Sequence, residues 1–160
     1  MKKQISKINI EYLYEKDRSL NKYCYNNAWY NGGGFAELIR KAQLGLKPTF
    51  DRYTPFDVGC DVESIMESVK SNRAAFTDED LGNDYATIWE NYFKQDKAQR
   101  YSYITWDNEN VIAYVMNVEE FKEFAQAFTF FEKGTGKRHD RIRFKKESKK
   151  MLKWLNARAK

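Results

Sequence analysis

Apolar residues recur at helical spacing in four parts of the chain. The pattern predicts helices over residues 35–45, 78–94 and 118–131, and a last helix around Leu152. Three consecutive glycines, at 32–34, break the chain before the first of these helices. The residues that precede the glycines remain unassigned, because their early part fits either a strand or the start of a helix.

Two of the predicted helices have a candidate N-cap. Thr77 can cap the second helix, although Gly82 and Asn83 can delay its start. Asn117 can cap the third helix, and Glu120 follows three residues later as its capping-box partner. The capping box is the clearest start signal in the sequence, and it predicts that the third helix begins directly behind Asn117.

Short apolar and β-branched segments between the helices predict two hairpins and one further strand. The first hairpin joins residues 53–58 to 64–70, and the second joins 100–106 to 111–116 across a polar turn. The further strand is short and lies around Ile142. Because near-continuous apolar strands must be covered on both faces, the sequence predicts an α/β (mixed α+β) fold with a central mixed sheet flanked by helices.

Composition is typical of one intracellular domain. The chain has 160 residues, and no repeat or Pro/Ser-rich linker divides it. The aromatic stripes of the predicted helices are expected to form the core. No apolar run approaches the roughly 20 residues of a membrane span, and the N-terminus lacks an apolar leader. Cys24 and Cys60 match no pairing motif. We therefore expect a cytoplasmic protein without a membrane partner.

Charge is distributed unevenly along the chain. The basic C-terminal segment, residues 133–160, holds twelve of the 28 Lys and Arg residues and only two acids. Such a segment favours a polyanionic partner, because neutralised phosphates supply most of the non-specific affinity for nucleic acid. DNA contacts are expected from eight of its residues: Lys137, Arg138, Arg141, Arg143, Lys145, Lys146, Lys149 and Lys150. A solvated basic surface without a partner stays open as the alternative.

Several classes of active site are excluded by the sequence. The single histidine, His139, is too few for HNH nucleases, HD phosphohydrolases and zinc sites with paired histidines. Residues 134–137 lack the first glycine and the final hydroxyl residue of a phosphate-binding loop, so no nucleotide triphosphate site is expected. Neither cysteine has an identifiable base partner, which disfavours a cysteine nucleophile.

Four residues form a candidate site for metal-assisted phosphodiester cleavage. Asp57 lies on the first strand of the first predicted hairpin, and Ser68 and Lys70 lie two residues apart on the second. Residues two apart on a strand share one face. Glu37 lies on the preceding helix. Such cleavage needs oxygen ligands around a hard cation and a cation or base near the attacking water, and these residue types can supply both.

The order of these residues resembles the PD-(D/E)xK nuclease superfamily, which includes many restriction enzymes and the archaeal Holliday-junction resolvases. The resemblance rests on Gly34-x-x-Glu37, Pro55-Phe56-Asp57 and Ser68-Val69-Lys70-Ser71, and it covers about residues 33–130. It implies a single nuclease-like domain over residues 1–160 with a restriction-endonuclease-like sheet. It also implies a metal-dependent DNA endonuclease that uses Mg²⁺ or Mn²⁺.

The resemblance also implies roles for individual residues. Asp57 would be the central metal ligand, with Glu37 and the backbone carbonyl of Val69 as further ligands. Lys70 would orient or activate the attacking water. Ser68 departs from the family, which usually has Glu, Asp or Gln there, and a serine hydroxyl is a weaker, neutral ligand. Glu67 is adjacent, but strand alternation directs it to the other face.

Three functions stay open at this point. The first is a metal-dependent DNA endonuclease. The second is a catalytically degenerate DNA-binding or inhibitory accessory protein of a phage or mobile element, which the departure at Ser68 favours. The third is a protein-interaction domain whose basic segment contacts an acidic protein. Metal-dependent nicking would separate the first function from the second, and salt-dependent DNA binding would separate both from the third. The sequence leaves a homodimer open in each case.

Overall fold

The computed structural model describes residues 1–13, 15, 33–45, 67–71, 75–79, 84–95, 98–136 and 140–160. The strands in these ranges are β1 (Lys2–Lys7), β2 (Glu67–Lys70), β3 (Ala75–Glu79), β4 (Arg100–Trp106), β5 (Asn110–Met116), β6 (Thr129–Glu132) and β7 (Asp140–Phe144). The helices are α1 (Gly33–Gln43), α2 (Tyr85–Gln95), α3 (Val118–Phe128) and α4 (Lys149–Arg158).

The larger sheet has the strand order β1-β5-β4-β2. β1 and β4 both run antiparallel to β5, whereas β2 runs parallel to β4, so the sheet is mixed as predicted. Asp107 closes the β4–β5 hairpin, since its carboxylate accepts from the backbone N–H groups of Glu109 at 2.8 Å and Asn110 at 2.7 Å. The second predicted hairpin is therefore confirmed.

Helices cover both faces of this sheet. α1 packs on one face, where Ile39 is fully buried in a cluster with Val69 and Ile104. The opposite face forms the larger core with α3, and the rings of Tyr101 and Phe121 stack there with centroids 4.0 Å apart. The aromatic stripe of α3 is core, as predicted, because its large apolar area is removed from water between helix and sheet, whereas Tyr85 of the second predicted stripe is exposed.

A smaller antiparallel sheet, in the order β3-β7-β6, packs on the same core. Ile142 and Phe144 of β7 are buried there, and the Phe144 ring lies 5.5 Å from that of Tyr103. The fully buried Asp140 carboxylate accepts from the backbone N–H of Gly134 at 2.8 Å. The strand around Ile142 is confirmed, but the sequence did not predict the sheet that it joins.

The prediction for the second helix was wrong at its start. Thr77 is not an N-cap, because it lies in β3 and pairs with Ile142. The helix begins at Tyr85, and Asp84 accepts from the backbone N–H of Thr87 at 2.8 Å. Pairing with β7 overrides the local helical pattern of this segment.

The third helix begins as predicted and ends early. Both capping-box bonds form, from the Glu120 N–H to Asn117 at 2.8 Å and from the Asn117 N–H to Glu120 at 3.1 Å. The predicted end at residue 131 was wrong, since the helix stops at Phe128. Residues 129–132 form β6 and pair with β7, so an aromatic run that continued the helical spacing belongs to a strand.

Most of the remaining element predictions concern described residues, and one concerns residues outside them. The first helix begins at Gly33, two residues before the predicted start, and the last helix is confirmed as α4. The strand predicted over 64–70 is present at Glu67–Lys70 and pairs with β4. Its predicted hairpin partner, 53–58, lies outside the described residues.

Candidate nucleic-acid interface

Ser68 and Lys70 share one face of β2, as strand alternation predicts. Their register partners are Tyr101 and Tyr103, whose side chains belong to the core beneath α3. The Lys70 ammonium lies 5.5 Å from the centre of the Tyr92 ring, and Ser68 is buried. Lys70 therefore packs beside an aromatic ring on the α3 side of the sheet.

Three of the predicted catalytic residues do not lie on one side of the sheet. Glu37 lies on α1, on the opposite side of the sheet from Ser68 and Lys70, and its carboxylate pairs with the Lys41 ammonium at 2.9 Å. Asp57 lies outside the described residues. Within the described ranges, no group of three or more His, Cys, Asp or Glu residues could hold a metal ion.

Glu67 is the centre of a buried ionic cluster on the α1 face. Its carboxylate accepts from Arg40 Nε at 2.6 Å and from Arg100 Nε at 2.5 Å. Arg40 also donates to the side chains of Gln4 at 2.5 Å and Gln43 at 2.6 Å. Burial would raise the pKa of Glu67, but the hydrogen bonds and charges of the arginines hold it below its usual value. The cluster links α1 to three strands and is structural.

The basic C-terminal segment leaves its lysines exposed around the start of α4. Ser148 is the N-cap, and its hydroxyl accepts from the Met151 N–H at 3.2 Å. The first turn of the helix contains no acid. The exposed lysines here are Lys145, Lys146, Lys149, Lys150 and Lys153. Two of the predicted DNA contacts, Lys137 and Arg138, lie outside the described residues.

Glu147 is the one acid between residues 145 and 160, and it turns toward the larger sheet. Its carboxylate accepts from the hydroxyls of Thr105 at 3.0 Å and Tyr103 at 3.4 Å. Burial and then the charge of Glu147 raise the pKa of Tyr103 far above its usual value, so its phenol remains a donor. The negative charge of the segment is therefore directed inward.

Asn156 forms a second polar link between α4 and the same sheet. Its side-chain oxygen accepts from the Tyr114 hydroxyl at 3.0 Å and from Lys3 Nζ at 2.8 Å. Burial and the charge of Glu147 raise the pKa of Tyr114. Together with Glu147, these contacts fix the start and the end of α4 on the sheet.

Two arginines of the basic C-terminal segment are paired with acids. Arg143 lies 3.5 Å from Glu132, and Arg158 lies 3.6 Å from Glu123 while its guanidinium covers the ring of Trp154 at 3.7 Å. The strongest concentration of unneutralised positive charge in the described part of this segment is thus the lysine surface, defined as Lys145, Lys146, Lys149 and Lys150.

Sequence reasoning identified these lysines but missed the residue that orients them. The available signal was that Glu147 is a single acid within a basic run. The sequence-based prediction used this residue only in the count of charges. The sheet hydroxyls that bind it are more than 40 positions away in the chain, so spacing could not reveal the contact.

No protein-family model matches the chain, and comparisons with curated proteins and with solved structures give no match. None of the described helices is long and apolar enough to cross a membrane.

Proposed function

We propose that the protein binds DNA by contacting backbone phosphates with the lysine surface at the start of α4. The observation that supports this most is the inward orientation of Glu147. Because its carboxylate accepts from Thr105 and Tyr103, the neighbouring lysines present their charge to solvent without an acid of their own segment beside them. Fixed positive charge of this kind attracts a polyanion.

Binding through this surface is expected to be independent of DNA sequence. Lysine ammonium groups contact phosphates as point charges, and phosphate contacts carry no direct sequence information. Each neutralised phosphate releases condensed counterions, so affinity falls steeply as the salt concentration rises. A binding-only accessory protein needs the lysine surface alone, whereas a protein that also cleaves DNA needs further residues.

The first prediction concerns the double variant Lys149→Ala/Lys150→Ala. We expect weaker binding to duplexes of every sequence, and a plot of log affinity against log salt concentration that is flatter by about 1.8, at about 0.9 per lost phosphate contact. Fluorescence anisotropy over a salt series measures both quantities. Circular dichroism should show an unchanged fold, since both side chains are exposed.

The matched control is Lys7→Ala/Lys94→Ala, which removes the same charge from exposed positions on β1 and α2. We expect this variant to keep most of the salt dependence. Equal losses in the two double variants would show a general charge effect and contradict the proposed surface. Unchanged binding in Lys149→Ala/Lys150→Ala would contradict it as well.

Metal-dependent cleavage, which the PD-(D/E)xK resemblance implies, is a separate proposal. It depends on Asp57, which lies outside the described residues, and on its meeting Lys70. The lysine surface supports binding and carries no argument for cleavage, so the two functions need separate tests.

A further inference from the structure

The smaller sheet has an outward face that continues the lysine surface. Strand alternation buries Ile142 and Phe144 of β7 against the core and places Arg141 and Arg143 on the other face, where both are half-buried and the Nε atom of Arg141 is fully buried. Phe130 of β6 is the register partner of Arg143, so it lies on the same outward face.

Phe130 is unusual for an outward strand position, where polar residues are the rule. Its side chain is 41% exposed although its neighbour Phe131 packs against the core. Arg143, directly across from it, is 38% exposed and pairs with Glu132 at 3.5 Å. An exposed aromatic residue and an arginine are therefore register partners on this face.

The cations of this face extend to the start of the last helix. The Lys145 N–H donates to the Phe128 carbonyl at 2.7 Å, which continues the pairing of β6 with β7 by one step. Lys145 follows Arg143 by two positions and is exposed, so it extends the row of Arg141 and Arg143. The row ends where the lysine surface begins.

We propose that this outward face binds single-stranded DNA, with Phe130 stacking on a base and the row of cations contacting the backbone. The inference rests on the proposed DNA-binding function and names its preferred substrate. An unpaired strand exposes base faces that an aromatic side chain can cover, and a positively charged row can follow its phosphates. A duplex hides those base faces and offers Phe130 nothing to stack on.

The test compares a short oligothymidylate, a duplex of equal length and an oligouridylate, each by fluorescence anisotropy. Phe130→Ala should weaken single-strand binding about 5- to 150-fold, the range for loss of one stacked base, and leave duplex binding unchanged. Phe130→Tyr should restore single-strand affinity, and Phe130→Leu should not, because only tyrosine keeps an aromatic face. Tyr12→Ala, which removes another exposed aromatic, is the matched control and should bind normally.

Equal effects of Phe130→Ala on single strands and duplexes, or no effect on either, would overturn the inference. Rescue by Phe130→Leu would do the same, and tighter binding of oligouridylate would overturn the assignment to DNA. If Lys149→Ala/Lys150→Ala weakens binding while Phe130→Ala does not, the proposed DNA-binding function stands and this inference fails. If wild type binds neither form of DNA, the proposed function itself fails.

Discussion

At the scale of single residues, Glu147 shows how an acid can support a basic surface. Its charge alone should repel phosphate, since it lies in the sequence between Lys146 and Ser148. Its bonds to Thr105 and Tyr103 instead hold the connection between β7 and α4 on the sheet. The hydrogen bonds of Glu147 therefore favour DNA binding, whereas its negative charge opposes it. Substitutions that remove one of the two and keep the other can separate these effects.

Two substitutions of Glu147 are predicted to have different effects on DNA affinity. Glu147→Ala should weaken DNA binding by about 0.5–1.5 kcal/mol, the usual net value of a lost hydrogen bond, because the lysines lose their fixed orientation. Glu147→Gln should bind as well as wild type or better, since an amide oxygen still accepts from Thr105 and the negative charge is gone. Anisotropy titrations at one salt concentration measure both.

Simple electrostatics makes the opposite prediction for one of these variants. Removal of a negative charge near phosphates should strengthen binding in Glu147→Ala as much as in Glu147→Gln. If both variants bind more tightly than wild type, Glu147 does not position the lysine surface.

At the scale of elements, the Glu67 cluster joins α1 to β1, β2 and β4. Both oxygens of the carboxylate are bound, and it is completely buried with its arginine partner Arg40. Removal of one partner from a buried ion pair leaves the other charge without compensation, which costs about 3–5 kcal/mol. This cluster should therefore determine how firmly α1 is held on the sheet.

The stability of the protein should depend on pH through Glu67. Its pKa is lowered in the folded state, so its contribution is fully present above the unfolded value of about 4.3 and is lost as pH falls through the folded pKa. Glu67→Gln should lower the free energy of unfolding at pH 7 and make it less dependent on pH below about 4.3. Urea denaturation at pH 7 and at several acidic pH values measures this. A variant with the same acid dependence as wild type would contradict the assignment.

The limits of prediction also appear at the element scale. The Asn117 capping box and the hairpin closed by Asp107 follow from residues three or four positions apart, and both were predicted. The predicted helices included the end of β3 and most of β6, because the pairing of these strands with β7 is not visible in local periodicity. Sequence patterns were thus reliable for elements whose hydrogen bonds join residues close together in the chain.

At the scale of the whole molecule, the sequence predicted the mixed sheet and its helical layers but not how side chains meet across them. Ser68 and Lys70 share a face, as predicted, yet the sheet separates them from Glu37. Which face a helix covers depends on the path of the chain between elements, and no residue pattern in α1 encodes it. The lysine surface was more predictable, because exposure of lysine needs no partner.

Cleavage is the remaining prediction at this scale, and Asp57 tests it. In Mg²⁺ or Mn²⁺, Asp57→Ala should lose all plasmid nicking and keep its DNA affinity, since only a metal ligand is removed. Ser68→Glu, which installs a carboxylate usual in the PD-(D/E)xK family, should bind divalent metal more tightly. Nicking assays and metal titrations measure these effects. A wild-type protein that neither nicks DNA nor binds metal would leave binding as the only function.

The pairing of β1 with β5 determines when the larger sheet can be completed during synthesis. Lys2 pairs with Val115, so β1 leaves the ribosome about 100 residues before its partner. At ordinary translation rates this delay is about 5–20 seconds, whereas a hairpin such as β4–β5 forms within microseconds. The nascent chain therefore holds β1 unpaired while about 100 further residues are made, and β1 can join the larger sheet only after β5 has been synthesised.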